Sequence, residues 1–113
     1  MNSIKLERLN SSIKREISII LANEIKDENI KFVTVTAVTT ARDLSNCKIY
    51  VTVLNQDRKN ETIDSLKTAK GFIRSALAQK LSIRHVPDLE FVYDESIEYG
   101  MKIEEKIKEI HEK

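Results

Sequence analysis

The chain has 113 residues, 41% hydrophobic and 33% charged, with a net charge of +1, which suits one domain over residues 1–113 with a core of its own and excludes wholesale disorder. Charges at Lys5, Glu7 and Arg8 interrupt any apolar run near the N-terminus, so neither a signal peptide nor a membrane span is expected, and the reading is of a cytoplasmic monomer. The single Cys47 cannot pair within the chain and is expected in the core.

Leu6, Leu9, Ile13, Ile17, Ile20, Leu21 and Ile25 recur at three- and four-residue steps, predicting an amphipathic helix over roughly 4–27. Lys5, Arg8, Ser12 and Arg15 form a second stripe on it, so cations can be presented together. Residues 32–40, rich in valine and threonine, suit a strand because β-branched side chains fit the pleat. Turn formers follow over 41–46, then Cys47, Ile49, Val51 and Val53 alternate with polar neighbours, predicting a β-hairpin.

Beyond the polar stretch 55–60, Ile63, Leu66, Ile73 and Leu77 mark a second helix, with Asn60 as its N-cap and an end near Leu81. It contains Ala69-Lys70-Gly71. A glycine costs about 1 kcal/mol in a helix interior, and a kink is expected there. Arg84-His85-Val86-Pro87 breaks the helix, and Leu89, Phe91 and Tyr93 mark a third strand. Ser96 is expected to cap a final helix carrying Ile97, Ile103, Ile107 and Ile110.

The result is an α+β domain, a three-stranded sheet packed on helices, since a sheet must bury one face. Strict alternation puts Thr34, Thr36, Tyr50 and Thr52 on the other face. Charge is unevenly distributed. Residues 58–85 hold seven basic residues against two acids, and residues 86–113 hold nine acids against four lysines, so a polarised surface is expected.

One cysteine with His85 and His111 cannot supply a usual zinc set, and the isolated Gly71 and Gly100 cannot form a phosphate loop. Asp94 and Glu95 have no adjoining histidine to shuttle protons. No metal, cofactor or enzymatic activity is expected. The positive signal is Lys67, Lys70 and Arg74 at i, i+3 and i+7, with Lys80, Arg84 and His85 beyond, a stripe suited to phosphates. Phe72, beside Ile73, is expected in the core, so recognition of structured RNA by shape and backbone is the reading.

Several segments, in this order, resemble the ribosome-binding factor A family: Thr34-Val35-Thr36, Asp43-Leu44, residues 69–74, residues 84–89 and residues 91–96. The resemblance spans Leu6 to about Ile107. It implies a type II KH-like fold, in the order α-β-β-α(kink)α-β-α, in which Ala69, Lys70 and Gly71 form the helix-kink motif that replaces the Gly-x-x-Gly loop of other KH domains. It also implies association with the small (30S) ribosomal subunit and its rRNA, help in late maturation and in processing 16S rRNA near its 5′ end, and most importance in the cold. The long C-terminal extension of some members is not matched here, so functions of such tails do not carry over.

On this reading the basic face of the kinked helix, helped by Lys5, Arg8 and Arg15, docks on rRNA without bond chemistry. A general single-stranded RNA chaperone and a protein-interaction adaptor using the acidic C-terminal segment remain as alternatives. The double reversal Lys70→Glu with Arg74→Glu is expected to weaken particle binding while leaving thermal stability nearly unchanged.

Overall fold

Asn2 opens the first helix, its side chain accepting the Lys5 backbone N–H at 2.9 Å. The computed structural model describes residues 2–96. In chain order they form α1 (Ser3–Asn23), β1 (Val33–Thr40), β2 (Asn46–Val53), a 3-10 turn (Gln56–Arg58), α2 (Lys59–Thr68), α3 (Lys70–Leu81) and β3 (Asp88–Tyr93). The expected final helix, with Ile97, Ile103, Ile107 and Ile110, lies outside the described residues. At its expected start the Asp94 carboxylate accepts the Ser96 backbone N–H at 2.9 Å.

β1 and β2 pair antiparallel as a hairpin, while β3 runs parallel to β2 in the register Asn46↔Asp88 to Val51↔Tyr93. Parallel neighbours cannot be joined by a tight turn. Residues 54–87 therefore cross over the sheet, and that crossing carries α2 and α3. Helices α1, α2 and α3 pack on one sheet face. Ile13, Ile17 and Ile20 of α1 meet Cys47, Ile49 and Val51 of β2, Leu66, Ile73 and Leu77 of the crossover, and Leu89 of β3 in a fully buried cluster. Burying each large aliphatic side chain stabilises the fold by about 1.5–3 kcal/mol. Cys47 lies in this core as expected, and burial raises its thiol pKa. Among the described residues no helix is long and apolar enough to cross a membrane.

Three expectations need correction. Helix α1 stops at Asn23 rather than near 27, because overlapping turns (Ile30 N–H to Asp27 O, 3.0 Å; Val33 N–H to Ile30 O, 3.2 Å) carry the chain into β1 and bury Ile30. Asn60 does not cap α2. The chain enters through the 3-10 turn, where the Asn55 side chain accepts Asp57 N–H at 3.1 Å. Finally, the alternation of β1 is rephased by an irregularity at Thr36, between Val35 and Ala37. The extra residue shifts the inward phase, so Val38 packs against the core and Thr40 is buried. Thr34 is exposed, and Tyr50 and Thr52 are half-buried on the open face.

Two polar ties set the edges of the sheet. Thr40 donates to Asn10 Oδ1 at 2.6 Å, joining β1 to α1. Thr36 donates to Asp94 Oδ2 at 2.6 Å, so the residue after β3 reaches across β2 to β1. Hydrogen bonds from the Ser96 hydroxyl, Thr36 and the Ser96 backbone hold the Asp94 carboxyl below the usual carboxylate range. A depressed folded-state pKa stabilises above the unfolded pKa, and that stability is lost as pH falls through the folded value. In thermal melts, Asp94→Asn should unfold below the parent at neutral pH, and the gap should close as pH drops through the acid range.

Candidate nucleic-acid interface

The bend in the crossover lies at Ala69, one residue wide, with φ −84° and ψ 0°. Its N–H still donates to Ser65 O and its O still accepts from Ile73 N–H, both at 3.0 Å. The kink expected within Ala69-Lys70-Gly71 thus falls at Ala69. Gly71 is not at positive φ, and a Cβ there would meet nothing within 4 Å. Neither backbone conformation nor internal packing requires this glycine. It leaves a flat, open surface at the start of α3, where no side chain caps the helix and no acid lies in the first turn. The first-turn N–H groups of α3 thus have no side-chain partner, and the last carbonyls of α2 are their nearest backbone neighbours across the one-residue bend.

Ile73 and Leu77 turn into the core, and at 3.6 residues per turn this places Gly71 and Ser75 on the outward ridge of α3. Lys70 and Arg74 lie on one flank of the ridge, with Lys67 a turn earlier across the bend. An open groove runs on the same side, between Gly71, Arg74 and Ala78 and the segment of Ile83, Arg84, His85 and Val86. Ser82, in the left-handed region at φ 52°, closes α3 by donating its N–H to Ala78 O at 3.2 Å and turns the chain back. Val86 and Pro87 are buried, and this leaves Arg84 and His85 exposed on the rim.

The candidate cations differ in what else they do. Arg74 Nη2 donates to Val86 O at 2.7 Å, and its Nε is buried without a hydrogen-bond partner. Arg74 therefore ties the returning segment to α3, and the expectation that reversing its charge spares stability does not hold. Lys70 Nζ lies 3.9 Å from Asp88, a surface pair worth little. Lys67 and Arg84 are exposed and have no ion pair among the described residues. Lys80 stands apart on the opposite side of α3, with Nζ 3.7 Å from Glu24 of α1. Lys5 and Arg8 are exposed on α1, and Arg15 Nε lies 3.6 Å from Glu16. Among the described residues no hydrogen bond or ion pair joins these three to the α3 flank. The structure thus gathers Lys67, Lys70, Arg74, Arg84 and His85 on one side of the bent helix.

Phe72 corrects a further expectation, since it is 53% exposed rather than in the core. The signal was present: one residue from Ile73 is about 100° of helix, outside the narrow Leu66-Ile73-Leu77 stripe. Sequence reasoning also missed Asn29. Its Oδ1 accepts from Arg58 Nη2 at 2.7 Å and its Nδ2 donates to Ser65 at 3.2 Å, bracing α2 against the segment before β1.

Two outcomes are expected in denaturant titrations. Arg74→Ala should cost about 1–3 kcal/mol, because a charged hydrogen bond disappears and a carbonyl is left unpaired. Gly71→Ala should stabilise the isolated protein by about 0.5–1 kcal/mol.

The sequence model of the family described as ribosome-binding factor A matches residues 5–107. A ribosome-binding factor A from Staphylococcus epidermidis is 46% identical over 112 residues, covering 98% of this chain and 97% of that protein. The crystal structure of ribosome-binding factor A from Thermus thermophilus superposes with a TM-score of 0.73 at 25% identity, over 78% of this chain and 93% of that one. A homology model of the Thermus thermophilus factor, fitted into the cryo-EM map of a complex with the 30S subunit, gives a TM-score of 0.67 at 25% identity over the same shares.

Proposed function

The chain belongs to the ribosome-binding factor A family and has its KH-like α+β fold, and from this we propose that it binds the small ribosomal subunit by gripping rRNA phosphates with Lys67, Lys70, Arg74, Arg84 and His85. The observation that carries the reading is the gathering of these residues beside an uncapped helix start that a glycine leaves bare. Anions favour such a site for two reasons: the first-turn N–H groups have no side-chain partner, and the flanking cations release condensed counterions from the nucleic acid. The Thermus thermophilus relative was placed on the 30S subunit, which supports the same partner here. Lys5, Arg8 and Arg15 on α1 form a separate basic surface that adds long-range attraction, and Lys80 adds only its charge.

The protein acts in the cytoplasm as a monomer of one domain, without catalysis. It assists late maturation of the subunit and processing of 16S rRNA near its 5′ end, with most effect in the cold. A ligand moves a conformational equilibrium only through differential affinity, so the factor binds immature particles more tightly than finished ones.

Lys67→Ala combined with Arg84→Ala tests the interface without touching the Arg74 tie. Stability should stay within about 0.5 kcal/mol of the parent. Binding to purified 30S subunits should weaken, and the slope of log K against log salt should flatten by about 0.7–0.9 for each phosphate that is no longer neutralised. An unchanged slope would refute the assignment.

A further inference from the structure

We infer that Phe72 is a base-stacking residue, so that the bent helix holds an unpaired segment of RNA with phosphates on its cationic flank and a base on the opposite flank. The inference rests on the reading above and narrows it from structured RNA in general to a strand with free bases.

On α3, Phe72 is two residues from Lys70 and two from Arg74, so its ring lies about 160° around the helix from each. Gly71 and Ser75 occupy the ridge between them and are exposed. The surface is therefore a low saddle of small side chains with cations on one side and an aromatic ring on the other. The ring is 53% exposed, and among the described residues neither a cation nor another ring is placed against it. An exposed phenylalanine gives up the stabilisation of burial, and nothing inside the described fold explains its position. A duplex offers outward phosphates but keeps its base faces stacked. A single strand crossing the ridge offers both phosphates and free base faces. The open space above Gly71 lets the sugar-phosphate chain pass close to the helix.

The chain contains no tryptophan, so Phe72→Trp installs a single tryptophan, excited selectively at wavelengths where tyrosine does not absorb, at the point in question. Its emission should be quenched on titration with purified 30S subunits, saturating in step with independently measured binding, and also with a single-stranded oligoribonucleotide at higher concentration. Phe72→Ala should weaken 30S binding by about five- to a hundredfold, the range spanned by base–aromatic stacking, and Phe72→Tyr should retain most of the affinity. Stacking displaces no counterions, so the salt slope of Phe72→Ala should equal that of the parent, unlike that of the Lys67/Arg84 variant. Circular dichroism of each variant confirms the fold. Unchanged affinity in Phe72→Ala overturns the inference, while a flattened slope for Lys67/Arg84 keeps the phosphate reading intact. A blue shift of the tryptophan without quenching, together with weakened affinity, also overturns it, because the ring would then be buried against a protein of the subunit.

Discussion

Parallel pairing of β3 with β2, from Asn46↔Asp88 to Val51↔Tyr93, is the constraint on which the site depends. A parallel neighbour demands a crossover long enough to climb off the sheet and return, and here the crossover must also cover the sheet's apolar face. Leu66, Ile73 and Leu77 do the covering, and their inward facing dictates what α3 turns outward. Arg74 adds the last restraint by holding the Val86 carbonyl at 2.7 Å. The same bond keeps Arg84 and His85 against the groove, so one residue supports the fold and shapes the candidate interface together.

Charge counting along the chain overstates the cations open to a partner. Of the basic residues between 58 and 85, Arg58 is held by Asn29 and Glu61, Lys59 by Glu95 and the Tyr93 ring, and Lys80 by Glu24. These pairs tie helices and segments to one another. What remains on the groove side is Lys67 and Arg84, beside Lys70 near Asp88 and Arg74 bonded to the Val86 carbonyl. Placed together, they give this side a positive local field despite a net charge of +1, because such a field is set by neighbours within a Debye length, roughly 8–10 Å.

The positions where local rules and structure part company are informative. Gly71 sits in a helix without conformational need, Phe72 is a large apolar side chain in solvent, and Ala69 bends a helix without proline or glycine. All three lie within four residues, with Gly71 and Phe72 facing outward and Ala69 against the core. Conflict between local preference and position tends to gather where a protein meets something else. The β1 irregularity at Thr36 differs in kind, since it brings Val38 and Thr40 to the core side and its hydroxyl clasps Asp94.

By itself the sequence determined the element order through β3, the core stripes of α1 and the crossover, the strand identities, and the family, because periodicity and motif order are properties of the linear chain. It also located the basic stripe 67–74, since residues three and four apart on a helix share a face whatever surrounds them. It could not determine which cations stay free, because Glu24, Asp88 and the Val86 carbonyl approach Lys80, Lys70 and Arg74 only after the chain has crossed the sheet. Nor could it settle the entry into α2 through the 3-10 turn that Asn55 caps, or the rephasing of β1. Each of these follows from which neighbour a side chain meets in space, and those neighbours are chosen by packing of the whole fold rather than by adjacent residues.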